Sequence, residues 1–308
     1  MQLGMLLSSY NLTSVFLGTM LSDITVVLPA KNESASLPVL LPRIKEVLPK
    51  AEILVVDDGS DDGTGDIALS LGAQVIRNPY SMGNGAAIKA GARAAKGRLL
   101  VFMDADGQHD PQDIPRLLEK FKHGYKMVVG ARKTATHASW WRRWANHFYS
   151  RLATIMTGYR IEDLTSGFRV VDAESFRKFL YLLPNGFSYP TTSTMAFFRA
   201  GFPVSYVPIS ARNRQDSTSS HIRLFRDGIR FFIIILKIGT LFSPMRLFLP
   251  VSLVLMLIGV GYYGYTYLVL HRFTNMSALL LMSSLLTFLI GILSEQVSAL
   301  HYRGTEDP

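Results

Sequence analysis

Leu99-Leu100-Val101-Phe102-Met103 runs directly into Asp104-Ala105-Asp106 and on into Gly107-Gln108-His109-Asp110-Pro111. The apolar run reads as a buried strand, entered from a basic turn and closed by glycine and proline. Two carboxylates one residue apart at a strand's end present oxygen to a hard divalent cation, Mg²⁺ or Mn²⁺, of the kind commonly shared with substrate phosphates. Taken alone, an Asp-x-Asp is more often a solvated acidic turn, so its weight comes from what surrounds it.

Outward from this run, short β-branched stretches alternate with amphipathic ones from Ile24 to about Val207. Ile24–Leu28, Ile53–Val56, Gln74–Ile76, Leu99–Met103 and Met127–Val129 read as strands. Ser36–Leu48, Thr64–Leu71, Gly85–Ala95 and Ile114–Lys122 read as the helices between them. That alternation predicts an α/β domain with a mostly parallel sheet covered on both faces. In such sheets a ligand crevice lies beyond the carboxyl ends of the strands. Val55-Val56 ends in Asp57-Asp58-Gly59-Ser60, as Phe102-Met103 ends in Asp104-Ala105-Asp106, so both acidic turns open at one rim.

The chain has 308 residues, no cysteine and a formal net charge of +9. Without cysteine there is neither a disulfide framework nor a thiolate metal site, which fits a cytosolic compartment. Many basic residues fall between Arg212 and Arg246, just ahead of a long apolar segment, a placement suited to an anionic membrane surface. Basic and aromatic residues are not interleaved as a nucleic-acid platform requires, so nucleic acid is not an expected partner. Residues 1–22 lack the basic start of a signal peptide and read as an extension.

A second zone, Trp140 to Phe202, contains an aromatic-rich amphipathic stretch over Trp140–Met156 and the turn Thr165-Ser166-Gly167-Phe168-Arg169. Such aromatics more often pack a core or interface than hold a cofactor. Trp140 and Trp141 beside Arg142 and Arg143 also suit a membrane interface. Residues 247–270 form an uncharged apolar run of bilayer-crossing length, with Pro250 read as lying in its first turn. His271-Arg272-Phe273-Thr274-Asn275 breaks the pattern, and Met276 to Leu293 forms a second, shorter run. Lys237, Arg246, His301 and Arg303 flank the pair, so the positive-inside rule places both ends in the cytoplasm. Arg223, Arg226 and Arg230, opposed by Phe225, Ile229, Phe232 and Ile233, predict an interfacial helix ahead of this hairpin. The expected division is an extension at 1–22, a catalytic domain at 23–210, a basic linker and interfacial helix at 211–245, a hairpin at 246–303 and a tail at 304–308.

The motifs as a set resemble the polyprenyl-phosphate glycosyltransferases of inverting glycosyltransferase family 2, which include dolichyl-phosphate mannose synthases and undecaprenyl-phosphate hexose transferases. The resemblance spans Ile24 to Arg303. It is carried by Leu28-Pro29-Ala30-Lys31-Asn32-Glu33, Val56-Asp57-Asp58-Gly59-Ser60 and Gly83-Asn84-Gly85-Ala86-Ala87-Ile88. The run Asp104 to Pro111 continues it, with Gly130-Ala131-Arg132, Asp163 with Ser166-Gly167-Phe168-Arg169, and Phe242-Ser243-Pro244-Met245-Arg246. It implies a GT-A fold, Rossmann-like, anchored by the hairpin in a cell membrane of inner or endoplasmic-reticulum type. The implied reaction is hexosyl transfer from a nucleotide-diphosphate sugar, UDP-glucose or GDP-mannose in type, to undecaprenyl or dolichyl phosphate. A homo-oligomer is compatible with the chain.

The resemblance also implies residue roles. Pro29, Ala30, Glu33, Asp57, Asp58, Gly83, Gly85 and Lys89 would meet the nucleotide, with Asp104. Asp58 would face the ligand or cap its turn. Gly83 and Gly85 would let backbone come close to the donor ahead of a helix. Asp104 and Asp106 would hold Mg²⁺ or Mn²⁺, Asp106 directly, with Gln108 adding an amide oxygen; His109 reads as structural or solvated. Arg132, Ser166, Arg169 and Arg214 would hold the acceptor phosphate, guanidinium being suited to a bidentate grip. Asp163 would orient the acceptor rather than act as base. The chain departs from the family's Arg-x-x-Gly-x-Ser-Lys: in Arg214-Gln215-Asp216-Ser217-Thr218-Ser219-Ser220, serines replace the glycine and the lysine. His221 and Arg223 are candidates to compensate. Rival readings are a non-catalytic membrane scaffold on the same fold and a family 2 transferase with another acceptor. A nucleotide-dependent dehydrogenase falters on Ile88 at the third glycine place.

Overall fold

The computed structural model describes residues 23–132, 151, 153–186, 188–210, 233, 236, 239–240 and 243–303. The extension, the linker with Arg214, His221 and Arg223, the two tryptophans, most of the interfacial helix and the tail lie outside the described residues. The described residues divide into two compact units, one of 23–132, 162–186 and 188–210, the other of the remainder. Residues 151 and 153–161, read from sequence within the catalytic domain, group with the hairpin.

The first unit is built on seven strands: β1 (Ile24–Ala30), β2 (Glu52–Asp57), β3 (Gln74–Arg77), β4 (Leu99–Phe102), β5 (Met127–Arg132), β6 (Arg169–Asp172) and β7 (Val204–Ile209). Its helices are α1 (Leu37–Val47), α2 (Thr64–Ser70), α3 (Asn84–Ala94), α4 (Ile114–Phe121), α5 (Ala173–Arg177) and α6 (Tyr189–Arg199). The strands form one sheet in the order β3-β2-β1-β4-β6-β5-β7. All neighbours are parallel except β6, which runs antiparallel to both β4 and β5.

Central strands read as unbroken apolar runs because both faces are covered. All four residues of β4 are buried. Leu37, Leu40, Leu41 and Ile44 of α1 recur at helical spacing, and each is buried in the core cluster beside Ile24, Val26 and Leu28. Full burial of such a side chain contributes about 1.5–3 kcal/mol. Strand β1 continues past the predicted end at Leu28, with Pro29 paired to Val56 and Ala30 to Asp57.

Strand β6 was not evident from sequence. It has charges at both ends and only Val170-Val171 between them, too short for a periodic signal. It nonetheless decides the site. Because it reverses direction, its amino end, Arg169, pairs with Phe102 at the carboxyl end of β4. The rim therefore gathers Ala30, Asp57, Met103-Asp104 and Arg132 with the loop entering Arg169.

The second unit contains α7 (Pro244–Leu270) and α8 (Asn275–Arg303). Both are long and apolar enough to cross a membrane, each offering a 26-residue span that holds an 18-residue stretch of mean hydropathy 1.9 and 2.2 respectively. They pack antiparallel: Phe248 meets Gly291, Ser252 meets Ser284 and Gly259 meets Leu281. Ser252 and Ser284 each donate to the other's carbonyl at 2.9 Å, satisfying hydroxyls away from water. α7 begins earlier than the apolar run suggests, so Pro250 sits in its second turn, not its first. α8 continues beyond Leu293 because Ser294-Glu295-Gln296 interrupts hydropathy without interrupting helix. Arg246 donates to the carbonyls of Ile155 and Met156 at 3.1 and 3.0 Å, capping the short helical stretch before Gly158.

Candidate active site

Asp104 follows β4 with its carboxylate 35% exposed, and no hydrogen bond to it exists among the described residues. Its nearest charged or ionisable neighbour is His109 Nε2 at 3.6 Å; His109 is buried and stacked on Phe168. Gly167 allows this placement, since a side chain there would come within 2.8 Å of Asp104 Oδ2. Asp106 is half-buried and accepts the Gln108 N–H at 3.1 Å, an Asx turn that shapes the loop. The Ser36 hydroxyl lies 2.7 Å from the Ala105 carbonyl and 2.8 Å from Glu33 Oε2, tying the loop to the end of β1. An ion pair between Arg43 and Asp110 at 2.6 Å holds its far side.

The donor chemistry suits a hard cation: carboxylate oxygens at Asp104 and Asp106 and an amide oxygen at Gln108. Among the described residues no group of three or more His, Cys, Asp or Glu side chains forms a closed cage. A cation at this loop would therefore draw further ligands from substrate phosphates or water.

Arg132 and Asp163 form a bidentate pair. Arg132 Nε meets Asp163 Oδ2 at 2.9 Å and a terminal nitrogen meets Oδ1 at 3.2 Å. Asp163 Oδ1 also accepts from the N–H groups of Thr165 and Ser166, so every acceptor site is engaged. Burial alone would push the Asp163 pKa up, but Arg132 and these hydrogen bonds outweigh it and hold the carboxyl below its ordinary value. Such a group orients its loop and is a poor base. Arg132 answers in kind: burial opposes its charge, and Asp163 more than restores it.

Arg169 lies elsewhere than expected. It is fully buried, 0% exposed, and its guanidinium donates to the Pro190 carbonyl at 3.1 Å, to Ser193 and Thr194, and to the Ser166 carbonyl. Burial pushes its pKa down. It fastens the Ser166-Gly167 loop to α6 from beneath and is not on the rim where a phosphate would reach it. Ser166 is itself 1% exposed.

The Gly83-Asn84-Gly85 turn also differs from the expected donor cradle. The N–H groups of Gly85 and Ala86 donate to the carbonyls of Gly186 and Asn185 at 3.2 and 2.9 Å. Lys89 donates to the Leu183 carbonyl at 3.1 Å and to the Asn185 side chain. The first turn of α3 thus meets protein backbone, not an open phosphate position. A Cβ at Gly85 would lie 1.9 Å from the Pro184 carbonyl oxygen. Gly85→Ala is expected to destabilise the protein by about 1–3 kcal/mol, read as a lowered melting temperature.

Asp58 is buried and holds the same region from the other side. Its carboxylate accepts from Asn78 at 2.7 Å, Ser81 at 2.9 Å, and the N–H groups of Met82 and Gly83 at 2.8 Å. Burial raises its pKa, but these four hydrogen bonds, led by Asn78, bring it below the usual value. Asp57 is also buried and accepts the Ser60 N–H at 2.9 Å. Asp58 thus holds the loop from Asn78 to Gly83, and Asp57 the turn to Ser60.

Beside Asp104 a small open cleft is lined by Asn84, Thr165, Gly167, Ser188, Tyr189 and Thr191, among others. Ser188, Tyr189 and Thr191 were not singled out from sequence: the start of α6 reads as ordinary turn and apolar helix, and nothing in its spacing signals a site. Tyr189 donates to the Gly167 carbonyl at 3.1 Å, closing the cleft floor.

The comparisons with known proteins agree with this architecture. The model of glycosyl transferase family 2 matches residues 25–180, and that of the GtrB C-terminal hairpin matches residues 243–300. The undecaprenyl-phosphate mannosyltransferase of Micrococcus luteus is 33% identical over 62% of this chain and 84% of that protein. The polyprenol monophosphomannose synthase of Mycolicibacterium smegmatis is 34% identical over 62% of this chain and 77% of that protein. The undecaprenyl-phosphate 4-deoxy-4-formamido-L-arabinose transferase of Pseudomonas savastanoi pv. phaseolicola is 31% identical over 77% of this chain and 71% of that protein. Crystalline glucosyl-3-phosphoglycerate synthase from Mycobacterium tuberculosis, bound to Mn²⁺, UDP-glucose and phosphoglyceric acid, has a TM-score of 0.57 at 20% identity. That likeness covers 70% of this chain and 79% of that one, and is one of fold. The chain belongs to glycosyltransferase family 2, with a GT-A catalytic fold followed by a GtrB-type C-terminal hairpin.

Proposed function

We propose that the protein transfers a hexose from a nucleotide-diphosphate sugar to a polyprenyl phosphate at the cytoplasmic face of a membrane, inverting the anomeric configuration. The observation that carries this reading is the meeting of an open Asp104, Asp106 and the Arg132–Asp163 pair at one sheet rim, in a chain ending in two apolar helices. Relatives named for undecaprenyl or polyprenol phosphate supply the acceptor class, and two of them are named for mannose. UDP-glucose and GDP-mannose are the main donor candidates, and an amino-arabinose donor stays open beside them.

A phosphate monoester has a second pKa near 6 and is mostly dianionic at neutral pH. Its oxygen attacks the anomeric carbon, the new C–O bond forming as the bond to the donor's β-phosphate oxygen breaks. No strong base is needed, consistent with Asp163 being fully engaged. Arg132, held by Asp163, offsets repulsion between the two phosphate groups. Arg169 keeps the Ser166-Gly167 loop in place beneath them. Asp104 and Asp106, with Gln108, would hold Mg²⁺ or Mn²⁺, which when bound neutralises charge developing on the departing nucleoside diphosphate. The hairpin would span the bilayer with both termini on the cytoplasmic side and keep the prenyl tail beside the catalytic domain.

The test is incubation of the purified full chain with radiolabelled nucleotide sugars, Mg²⁺ or Mn²⁺, and undecaprenyl or dolichyl phosphate. Label moving into the lipid phase supports the proposal. Binding of a nucleotide sugar without transfer to either lipid would point to another acceptor or to a scaffold.

A further inference from the structure

Ser188 enters α6 with φ +89° and ψ +15°, a left-handed conformation that glycine takes freely and serine only at a cost. Among the described residues only Asn32 and His271 share a positive φ without being glycine. Asparagine tolerates it, and His271 ends a helix where such a turn is usual. Ser188 has neither excuse. It is also 4% exposed, and its hydroxyl has no hydrogen-bond partner among the described residues. Backbone strain and an unpaired buried hydroxyl thus fall on one residue, and that residue lines the cleft beside Asp104.

The neighbouring groups are already engaged. Thr191 donates to the Leu164 carbonyl at 3.1 Å, and the Thr165 hydroxyl accepts from Arg132 at 2.5 Å. Asp104 is the charged side chain of the cleft wall; the rest are hydroxyl, amide, aromatic, proline or glycine. A serine side chain has three staggered positions about χ1, so its hydroxyl turns without backbone movement. A buried hydroxyl left unpaired is costly, and a ligand that pairs it recovers that cost on binding.

We propose that Ser188 is a specificity-determining residue that hydrogen-bonds a hydroxyl of the transferred sugar, and that the cleft it lines receives an uncharged hexose. This rests on the reading of the chain as a sugar-nucleotide transferase but not on the identity of the acceptor. Strain at such a position is the kind that persists where function requires it.

The test uses calorimetric binding to the full-length protein in detergent, with UDP-glucose, GDP-mannose, their monodeoxy analogues, and UDP and GDP alone. Ser188→Gly and Ser188→Ala are expected to weaken the preferred nucleotide sugar about tenfold while leaving the free nucleoside diphosphate within twofold. Discrimination against one monodeoxy analogue should fall towards unity in both variants. Ser188→Gly should also melt at a higher temperature than the wild type, because the strain is removed. Unchanged discrimination against every analogue would overturn the proposal, as would equal weakening of the nucleoside diphosphate. Absence of any nucleotide-sugar binding by the wild type would overturn it together with the enzymatic reading. Nucleotide-sugar binding without transfer to lipid would overturn only the acceptor.

Discussion

Asp104→Asn is expected to lower kcat/KM for sugar transfer by roughly 10³-fold with little change in melting temperature. Asp104 is partly exposed and accepts no hydrogen bond among the described residues, so the fold does not depend on its charge. Asparagine preserves its volume and one of its oxygens. On the proposed mechanism, what is lost is a hard anionic ligand at the place where diphosphate charge would develop. Asp106→Asn should follow the same pattern, since an amide oxygen can still accept the Gln108 N–H. Product formation and thermal unfolding, measured on the same preparation, separate this from general damage. A variant with near wild-type transfer would remove Asp104 from the chemistry. A variant that is inactive because it unfolds would assign it to the scaffold.

Arg169→Met is expected to show the reverse balance: a stability loss of about 3–5 kcal/mol, whatever happens to activity. In a domain of this size that is a fall of about 10 °C or more in melting temperature. The guanidinium is wholly buried and donates to two carbonyls and two hydroxyls, which methionine leaves without that donor. Arg169→Lys keeps the charge but not the planar fork, and should recover only part of the loss. The contrary outcome, unchanged stability with a raised KM for lipid phosphate, would return Arg169 to the acceptor site.

The contrast between these two residues marks what the sequence could and could not disclose. Asp104 was legible because a buried strand followed at once by paired carboxylates has one common geometry in a parallel sheet. The five strands and four helices before residue 133 were legible for the same reason: their periodicities are long enough to read, and the observed boundaries differ by one or two residues at most ends. Arg169 was legible as a motif member but not in its role. Nothing in Ser166-Gly167-Phe168-Arg169 shows that β6 runs antiparallel, or that Pro190, Ser193 and Thr194 of α6 take up one arm of the guanidinium. Gly83 and Gly85 show the same limit. A glycine pair before a helix announces close approach, and here the approaching group is the backbone at 184–186. The sequence suggests that Asp58 faces the ligand or caps the turn that follows it; its carboxylate instead holds a loop that begins 20 residues further on. Ser188 had no sequence signal at all, because its backbone angle and unpaired hydroxyl exist only once the chain has folded.

A structure of the full chain with Mn²⁺ and a nucleoside diphosphate, with the ion located by its anomalous scattering, puts the site at Asp104 and Asp106 to its most direct trial. The expected map has the manganese peak bonded to carboxylate oxygen of that pair and to the diphosphate. A peak on other side chains, or a diphosphate bound away from this rim, would contradict the assignment of the chemistry to the loop after β4.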